Sequence, residues 1–287
     1  MNKLLLLLTL GICGTLGVVS SKFVLTEISP WMLTIFRYLI GTLAILPLLP
    51  KLRKYSWKHI GLLIVICMGI GVNSILYAYG IELTNISVAQ VIYLLTPVLV
   101  LIGSYIFLEE PIEKQKIIGL IIALLGASII FILPKIYGGS LAVGSLLGNT
   151  YILLAVISYC AYLIFTKKYH FSASELLIGG MIGGLITSIG FGYYKYTPGI
   201  NPIEHLSTLG IFAILTASLV GTVLFYFLLQ KLMKISSPFF VGFTSYVQLI
   251  FTIFAGAIFF GDHISLGFIF GSMLTIYGVY YIQQKKK

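Results

Sequence analysis

Lys22 and Arg37 are cations set inside apolar runs, in a chain of 287 residues of which 59% are apolar and only 9% charged. A cation at such a position needs water, a protein partner or an anion, because burial alone is costly. The chemistry on offer is recognition of a negative group, not bond making. Two uses remain open. Lys22 could extend its ammonium toward a membrane surface or pair with Glu27, and Arg37 could pair within the protein. Alternatively, the two form an electropositive site for an anionic or carboxylate-bearing group. Neutral hydrogen-bonding groups occupy the middles of other apolar runs. Asn73 and Tyr77 are four apart on one helical face, as are Ser158 and Tyr162. Thr96 lies in a third run, and Gln248 in a fourth, within the stripe Thr244-Gln248-Thr252. Tyr93, Tyr226 and Tyr246 add rings with a polar tip. Taken together they predict a midplane cavity for a small polar molecule. Taken singly, each could be hydrogen-bonding glue between helices.

The carboxylates point elsewhere. Glu110 and Asp262 fall where one apolar run ends and the next begins, which suits helix capping or gating. No Asp or Glu is at mid-run, so coupling through a buried acid has little sequence support. His59, His170, His205 and His263 all fall in loops or at run ends. No HExxH, GxSxG or phosphate-cradling loop occurs, and Cys13, Cys67 and Cys160 make no metal-ligand spacing. Neither an enzyme nor a metal or cofactor site is expected.

What positions these residues is a set of membrane helices. A soluble fold of this size could not hide so much apolar surface, so lipid is the solvent for much of it. The formal charge of +10 is spread in short bunches between apolar runs, not gathered on a face for nucleic acid. Ten spans of about 20 residues are predicted, roughly 4–26, 31–49, 58–80, 85–107, 115–133, 146–168, 172–194, 206–229, 235–260 and 264–282. The first is read as an uncleaved helix. With a cytoplasmic N-terminus, fourteen of the 18 basic residues fall on the inner side, among them Lys51, Arg53, Lys54, Lys167, Lys168, Lys231 and Lys234. That predicts a multi-pass protein of the inner or plasma membrane with both termini in the cytoplasm.

The chain also repeats itself. Residues 109–130, EEPIEKQKIIGLIIALLGASII, align with 261–282, GDHISLGFIFGSMLTIYGVYYI, at a constant offset that pairs Glu110 with Asp262, Gly119 with Gly271 and Gly126 with Gly278. Five spans per half is an odd number, so the halves enter the membrane in opposite senses, as in many secondary transporters. Pro97 of span four has no proline counterpart in span nine. The stretches CGTLGVVSSKF…ISPWMLTIFRYLIG, LEEPIEKQKIIGLIIALLGASII, LLAVISYCAYLIFTKK and the GDHI…G…G ending resemble, in order and spacing, the EamA-type branch of the drug/metabolite transporter superfamily. The resemblance covers nearly the whole chain. It implies an all-α integral membrane fold of ten helices, divided into repeats at 1–138 and 139–287. It further implies export of a small, amino-acid-like or related metabolite by alternating access. Lys22 and Arg37 match the lysine and arginine of the family's opening motif, which favours a role beyond anchoring. A passive channel, or an intramembrane lipid-handling protein or enzyme, is the alternative. The expected partners are a small-molecule substrate and membrane lipid. Glycine pairs such as Gly179-Gly180 with Gly183-Gly184 are expected to serve helix packing or a homodimer contact.

Overall fold

A computed structural model describes residues 2–84, 86–136, 145–196, 203, 205–260 and 266–283. Asp262 therefore lies outside the described residues. Thirteen α-helices run from α1 to α13 among them: Lys3–Val24, Pro30–Ala44, Trp57–Leu83, Ile86–Tyr93, Thr96–Leu108, Lys114–Ile136, Leu146–Lys168, Ala173–Lys195, Thr208–Ser218, Phe225–Ile235, Pro238–Gly242, Thr244–Phe260 and Leu266–Gln283. A π-helical turn, Leu219–Leu224, joins α9 to α10 without a break, giving one apolar helix over Thr208–Ile235. Among the described residues, six helical stretches, with Pro238–Ala255 of α11 and α12 taken as one, are long and apolar enough to cross a membrane. Spans four and nine are each made of two helices, α4 with α5 and α11 with α12. The ten-span, two-repeat membrane fold expected from the sequence is the fold observed.

Serine starts these helices. Ser56, Ser145, Ser172, Ser207 and Ser237 each accept a hydrogen bond from the backbone N–H three residues on, at the starts of α3, α7, α8, α9 and α11. Such caps satisfy N–H groups that the helix leaves unpaired. Helix α2 ends at Ala44, five residues before the predicted limit, because Pro47 and Pro50 draw the chain into a 3₁₀ helix over Leu46–Lys54. Leu5, Leu43, Val65, Ile121, Leu125, Ile189, Phe212, Ile258 and Met273 stand exposed on the outside, an apolar belt that only lipid makes tolerable.

The repeat can be seen in the contacts themselves. A contact between positions one repeat offset apart lies on the axis relating the two halves. Two hydrogen bonds meet this condition, both with a separation of 152: Tyr246 OH to the Leu94 carbonyl, 3.0 Å, and Thr275 Oγ1 to the Ala123 carbonyl, 3.4 Å. Helices α6 and α13 pack on each other around the second of these. A Cβ on Gly126 would lie 2.6 Å from the Gly271 carbonyl oxygen, and one on Gly278 2.7 Å from that of Gly119. The glycines aligned from sequence are therefore the ones that let this pair close. The Gly183 face of α8 packs on α3 in the same way, with the Met68 backbone nitrogen 2.9 Å from a built Cβ.

Both composite spans break near the middle of the membrane. In span four the chain turns at Leu94-Leu95 ahead of Pro97, whose ring removes a backbone donor. In span nine it turns at Phe243 with no proline there, and Gly242 lies against the Pro97 backbone. The broken helices leave carbonyls to be satisfied by side chains. Thr96 Oγ1 donates to the Tyr93 carbonyl at 2.6 Å, and Tyr246 to that of Leu94.

Candidate functional site

Between the halves is a cavity of about 100 Å³, walled by α1, α2, α3, α4, α7, the π-helical turn, α10 and α12. Among the described residues that line it, the charged one is Arg37, half-buried on α2. Arg37 Nε donates to Thr222 Oγ1 at 3.0 Å, and Thr222 in turn donates 2.8 Å to the Ala217 carbonyl, five residues back. The π turn thus does two things. It widens the helix by one residue per turn, and it aims a hydroxyl at the guanidinium. Nε accounts for one of the guanidinium's five N–H donors. Among the described residues no carboxylate lines the cavity, and the ion pairs His59–Glu175 and Lys116–Glu113 both lie away from it.

Opposite the arginine, the wall is neutral and polar. Asn73 Nδ2 donates to Tyr93 OH at 2.6 Å and to the Ala155 carbonyl at 2.9 Å, which fixes both the amide and the phenol. Tyr77 meets Tyr93 edge to face, with ring centroids 5.4 Å apart, and Gln90 Nε2 reaches Tyr77 OH at 3.4 Å. Tyr226 and Gln248 complete this set. Tyr159 also lines the cavity, and its hydroxyl is buried with no hydrogen-bond partner among the described residues. Leaving such a group unpaired costs about 1–3 kcal/mol, so it marks a place where a ligand or water is wanted.

Of the residues expected from sequence, the cavity brings together Arg37, Asn73, Tyr77, Tyr93, Tyr226 and Gln248. Five others stand away from it. Thr96 and Tyr246 cap the broken helices. Ser158 Oγ donates to the Gly69 carbonyl at 2.8 Å, tying α7 to α3. Tyr162 is buried beneath the cavity, with its hydroxyl accepting from Gln230 Nε2. Lys22 is exposed in the last turn of α1. Glu110 precedes α6 by four residues, its backbone N–H donating to the Ser104 carbonyl, while Glu113 stands directly at the helix start. The residues not foreseen are Gln90, Tyr159, Ser21, Ser74 and Ser245. Gln90 lies three residues before Tyr93, on the same face of α4, and that spacing could have found it. Nothing comparable separates Tyr159 from its neighbour Ser158, since only the rotation of α7 decides which one faces inward.

A clamp closes each end of the structure. On the face bearing the α1–α2 hairpin, Glu27 accepts from Ser207 Oγ at 2.5 Å and Ser207 N at 3.0 Å, and Ile28 pairs with Ile203 as an isolated β-bridge. On the face bearing the α7–α8 loop, buried Glu175 meets His59 Nε2 at 2.5 Å, Tyr55 OH at 3.0 Å and Ser172 N at 2.8 Å. Tyr55 stacks on the His59 ring at 4.6 Å. Each carboxylate comes from the second helix of its repeat or the turn before it. Each holds the start of the third helix of the other repeat, where Ser56 and Ser207 are the caps.

Comparison with known proteins agrees with this arrangement. The EamA-like transporter family matches the chain twice, over residues 1–132 and 146–283. An uncharacterized transporter of Archaeoglobus fulgidus is 24% identical over 99% of both chains. One from Buchnera aphidicola is 26% identical, covering 83% of this chain and 78% of its own. Uncharacterized transporter YetK of Bacillus subtilis is 28% identical over 58% of this chain and 52% of its own. A solved structure, titled only as the crystal structure of a protein, superposes with a TM-score of 0.74 at 15% identity, covering 97% of this chain and 95% of that one, which speaks to the fold alone. With two matches that together span nearly the whole chain, the protein is a multi-pass membrane transporter of the EamA-like family.

Proposed function

We propose that the protein exports a small, carboxylate-bearing metabolite, amino-acid-like or related, by alternating access of its two five-helix repeats, 1–138 and 139–287. The observation that carries this reading is a cavity with one cation, Arg37, and no carboxylate among its lining residues. With Nε on Thr222 as its one hydrogen bond among the described residues, the guanidinium keeps its remaining donors for an incoming anion, and its planar fork suits a carboxylate. Asn73, Gln90, Gln248 and the hydroxyls of Tyr77, Tyr93, Tyr159 and Tyr226 supply the neutral contacts. Lys22 draws anions toward the hairpin face. The bias of basic residues supports a protein of the inner or plasma membrane with both termini on the cytoplasmic side. On that orientation the Glu27 clamp is extracellular and the Glu175 clamp cytoplasmic. Alternating access then requires the two to open in turn.

The test is counterflow in proteoliposomes with amino acids, other carboxylates, phosphorylated sugars, nucleotides and cationic drugs. Saturable exchange of a carboxylate-bearing compound is expected. Arg37→Gln should weaken its half-saturation by about 30-fold or more, since losing one partner of a desolvated charge pair costs about 2–5 kcal/mol. Exchange confined to cationic drugs, or unaltered half-saturation in Arg37→Gln, would exclude this reading.

A further inference from the structure

One turn beyond the cavity along α10 is a second pocket, of about 170 Å³, that the transport reading does not use. Its polar rim is Lys167 at the end of α7, His170 in the following loop and Lys234 near the end of α10. Its wall includes Gln230, which is 1% exposed. One end of the Gln230 amide donates to Tyr162 OH, and the other, Oε1, is buried without a hydrogen-bond partner among the described residues. Phe171, Leu176 and Met233 make the apolar floor. No carboxylate lines this pocket among the described residues. Glu175, the acid nearest in sequence, is engaged elsewhere, accepting from His59, Tyr55 and Ser172.

We infer that this pocket binds a phosphate group. Lys167, Lys234 and His170 line one pocket, and among the described residues none of its lining carries a countercharge. A phosphate brings more negative charge and more acceptor oxygens than a single carboxylate, so it can engage three such donors at once. The orphaned end of Gln230 adds a fourth polar group, because its oxygen and nitrogen can exchange places to present a donor. The pocket is separate from the central cavity. Tyr226 of the cavity and Gln230 and Lys234 of the pocket follow one another at four-residue spacing on a single face of α10, and the two spaces share no lining residue among the described ones. The site does not depend on which substrate the cavity carries. On the orientation given by the basic residues it opens at the cytoplasmic face, where both a soluble phosphate and an anionic phospholipid headgroup are at hand.

The experiment uses the full chain in neutral detergent, with inorganic phosphate as one probe. The second probe is phosphatidylglycerol added to phosphatidylcholine nanodiscs and read by native mass spectrometry. Wild type is expected to show saturable phosphate-dependent thermal stabilisation, retained lipid, or both. The Lys167→Gln/Lys234→Gln double variant should lose at least tenfold in apparent affinity, while a Lys3→Gln/Lys58→Gln control of equal charge should not. A response to phosphate alone identifies a soluble ligand, and a response to the lipid alone a headgroup; either supports the site. Binding that is absent from both arms, or equal in the two double variants, overturns it. If the first double variant folds poorly, Lys234→Gln alone and His170→Gln alone are measured, and unchanged affinity in both overturns it as well. Arg37→Gln should leave this binding intact, so failure here and failure of the central site are read separately.

Discussion

Replacing Gly221 by alanine tests whether the cavity depends on the contact between α1 and the π-helical turn. A Cβ built on Gly221 would lie 2.4 Å from the Gly17 Cα, and one on Gly17 would lie 2.8 Å from the Gly221 Cα. Ordinary carbon–carbon contact begins at about 3.5 Å, so one methyl demands a separation of about 1 Å. The obstructing atom is backbone, so no side chain can swing aside and α1 itself must move. Gly14, Gly17 and Ser21 all line the cavity from α1, and a Cβ on Gly14 would already meet the Gln248 amide at 2.7 Å. Overpacking of this kind costs about 1–3 kcal/mol, against a gain of about 0.5–1 kcal/mol that alanine brings to an unobstructed helix. Gly221→Ala should therefore unfold at lower temperature in detergent and show weaker half-saturation in counterflow. Gly190→Ala, with open space where its methyl would go, should be equal to wild type or slightly more stable. A Gly221→Ala protein as stable as Gly190→Ala, with wild-type half-saturation, would refute the claim that this approach sets the cavity.

The remaining predictions concern the arginine's support and the two clamps. Thr222→Val removes the Arg37 acceptor while keeping the shape; it should weaken anion half-saturation about fivefold, the worth of roughly 1 kcal/mol, without changing which compounds exchange. At the hairpin face, the bonds Glu27 accepts from the Ser207 side chain and then its backbone hold its carboxyl below the usual carboxylate range. A depressed folded value means that the ionised group stabilises the fold above the unfolded value of about 4.3, and that this is lost as pH falls through the folded value. The difference in unfolding midpoint between wild type and Glu27→Ala should accordingly be constant above about pH 5 and shrink below about pH 4; a difference that grows on acidification would contradict the clamp. At the opposite face, Glu175→Ala leaves His59 and Tyr55 without their buried acceptor and removes the capping box with Ser172. A loss of about 1–3 kcal/mol in unfolding stability is expected, and an unchanged midpoint would show that the cluster holds nothing.

How much of this was legible in the residues follows from what each feature needs. The spans were legible because lipid imposes one requirement on every helix, about 20 apolar residues, and the sequence meets it ten times. The axis between the halves was legible in part: the aligned glycines of α6 and α13 close that helix pair, and the offset read from them recurs in the Tyr246–Leu94 and Thr275–Ala123 bonds. Polar residue type alone could not sort cavity wall from internal support. Thr96 and Tyr246 look like substrate contacts until the breaks in spans four and nine are known, because the carbonyls they bond, of Tyr93 and Leu94, lie at the break in span four. Span nine hides its break, since Phe243 carries no proline signal. The π turn is equally silent in the sequence LVGTVL, yet it brings Thr222 to Arg37.

The two clamps show why opposed repeats suit a transporter, and why this design is hard to see in the residues. If both halves kept identical chemistry, the two ends would open with equal ease. Instead, Glu27 holds Ser207 from the hairpin turn, while Glu175 holds His59 and Tyr55 from within the first turn of α8. One end relies on short bonds to a helix cap, the other on a buried carboxylate with stacked rings around it. The second has more to break: bonds from His59 and Tyr55 to a buried carboxylate, and the edge contact of Phe171 on the His59 ring. The inference is an equilibrium biased toward closure at the Glu175 end. Cysteine accessibility can measure this bias with reporters at Ser56 and Thr208, the positions beside the two clamps. Labelling at Thr208 should exceed that at Ser56 in wild type, and Glu175→Ala should raise labelling at Ser56 several-fold. Faster labelling at Ser56 in wild type would reverse the inferred bias.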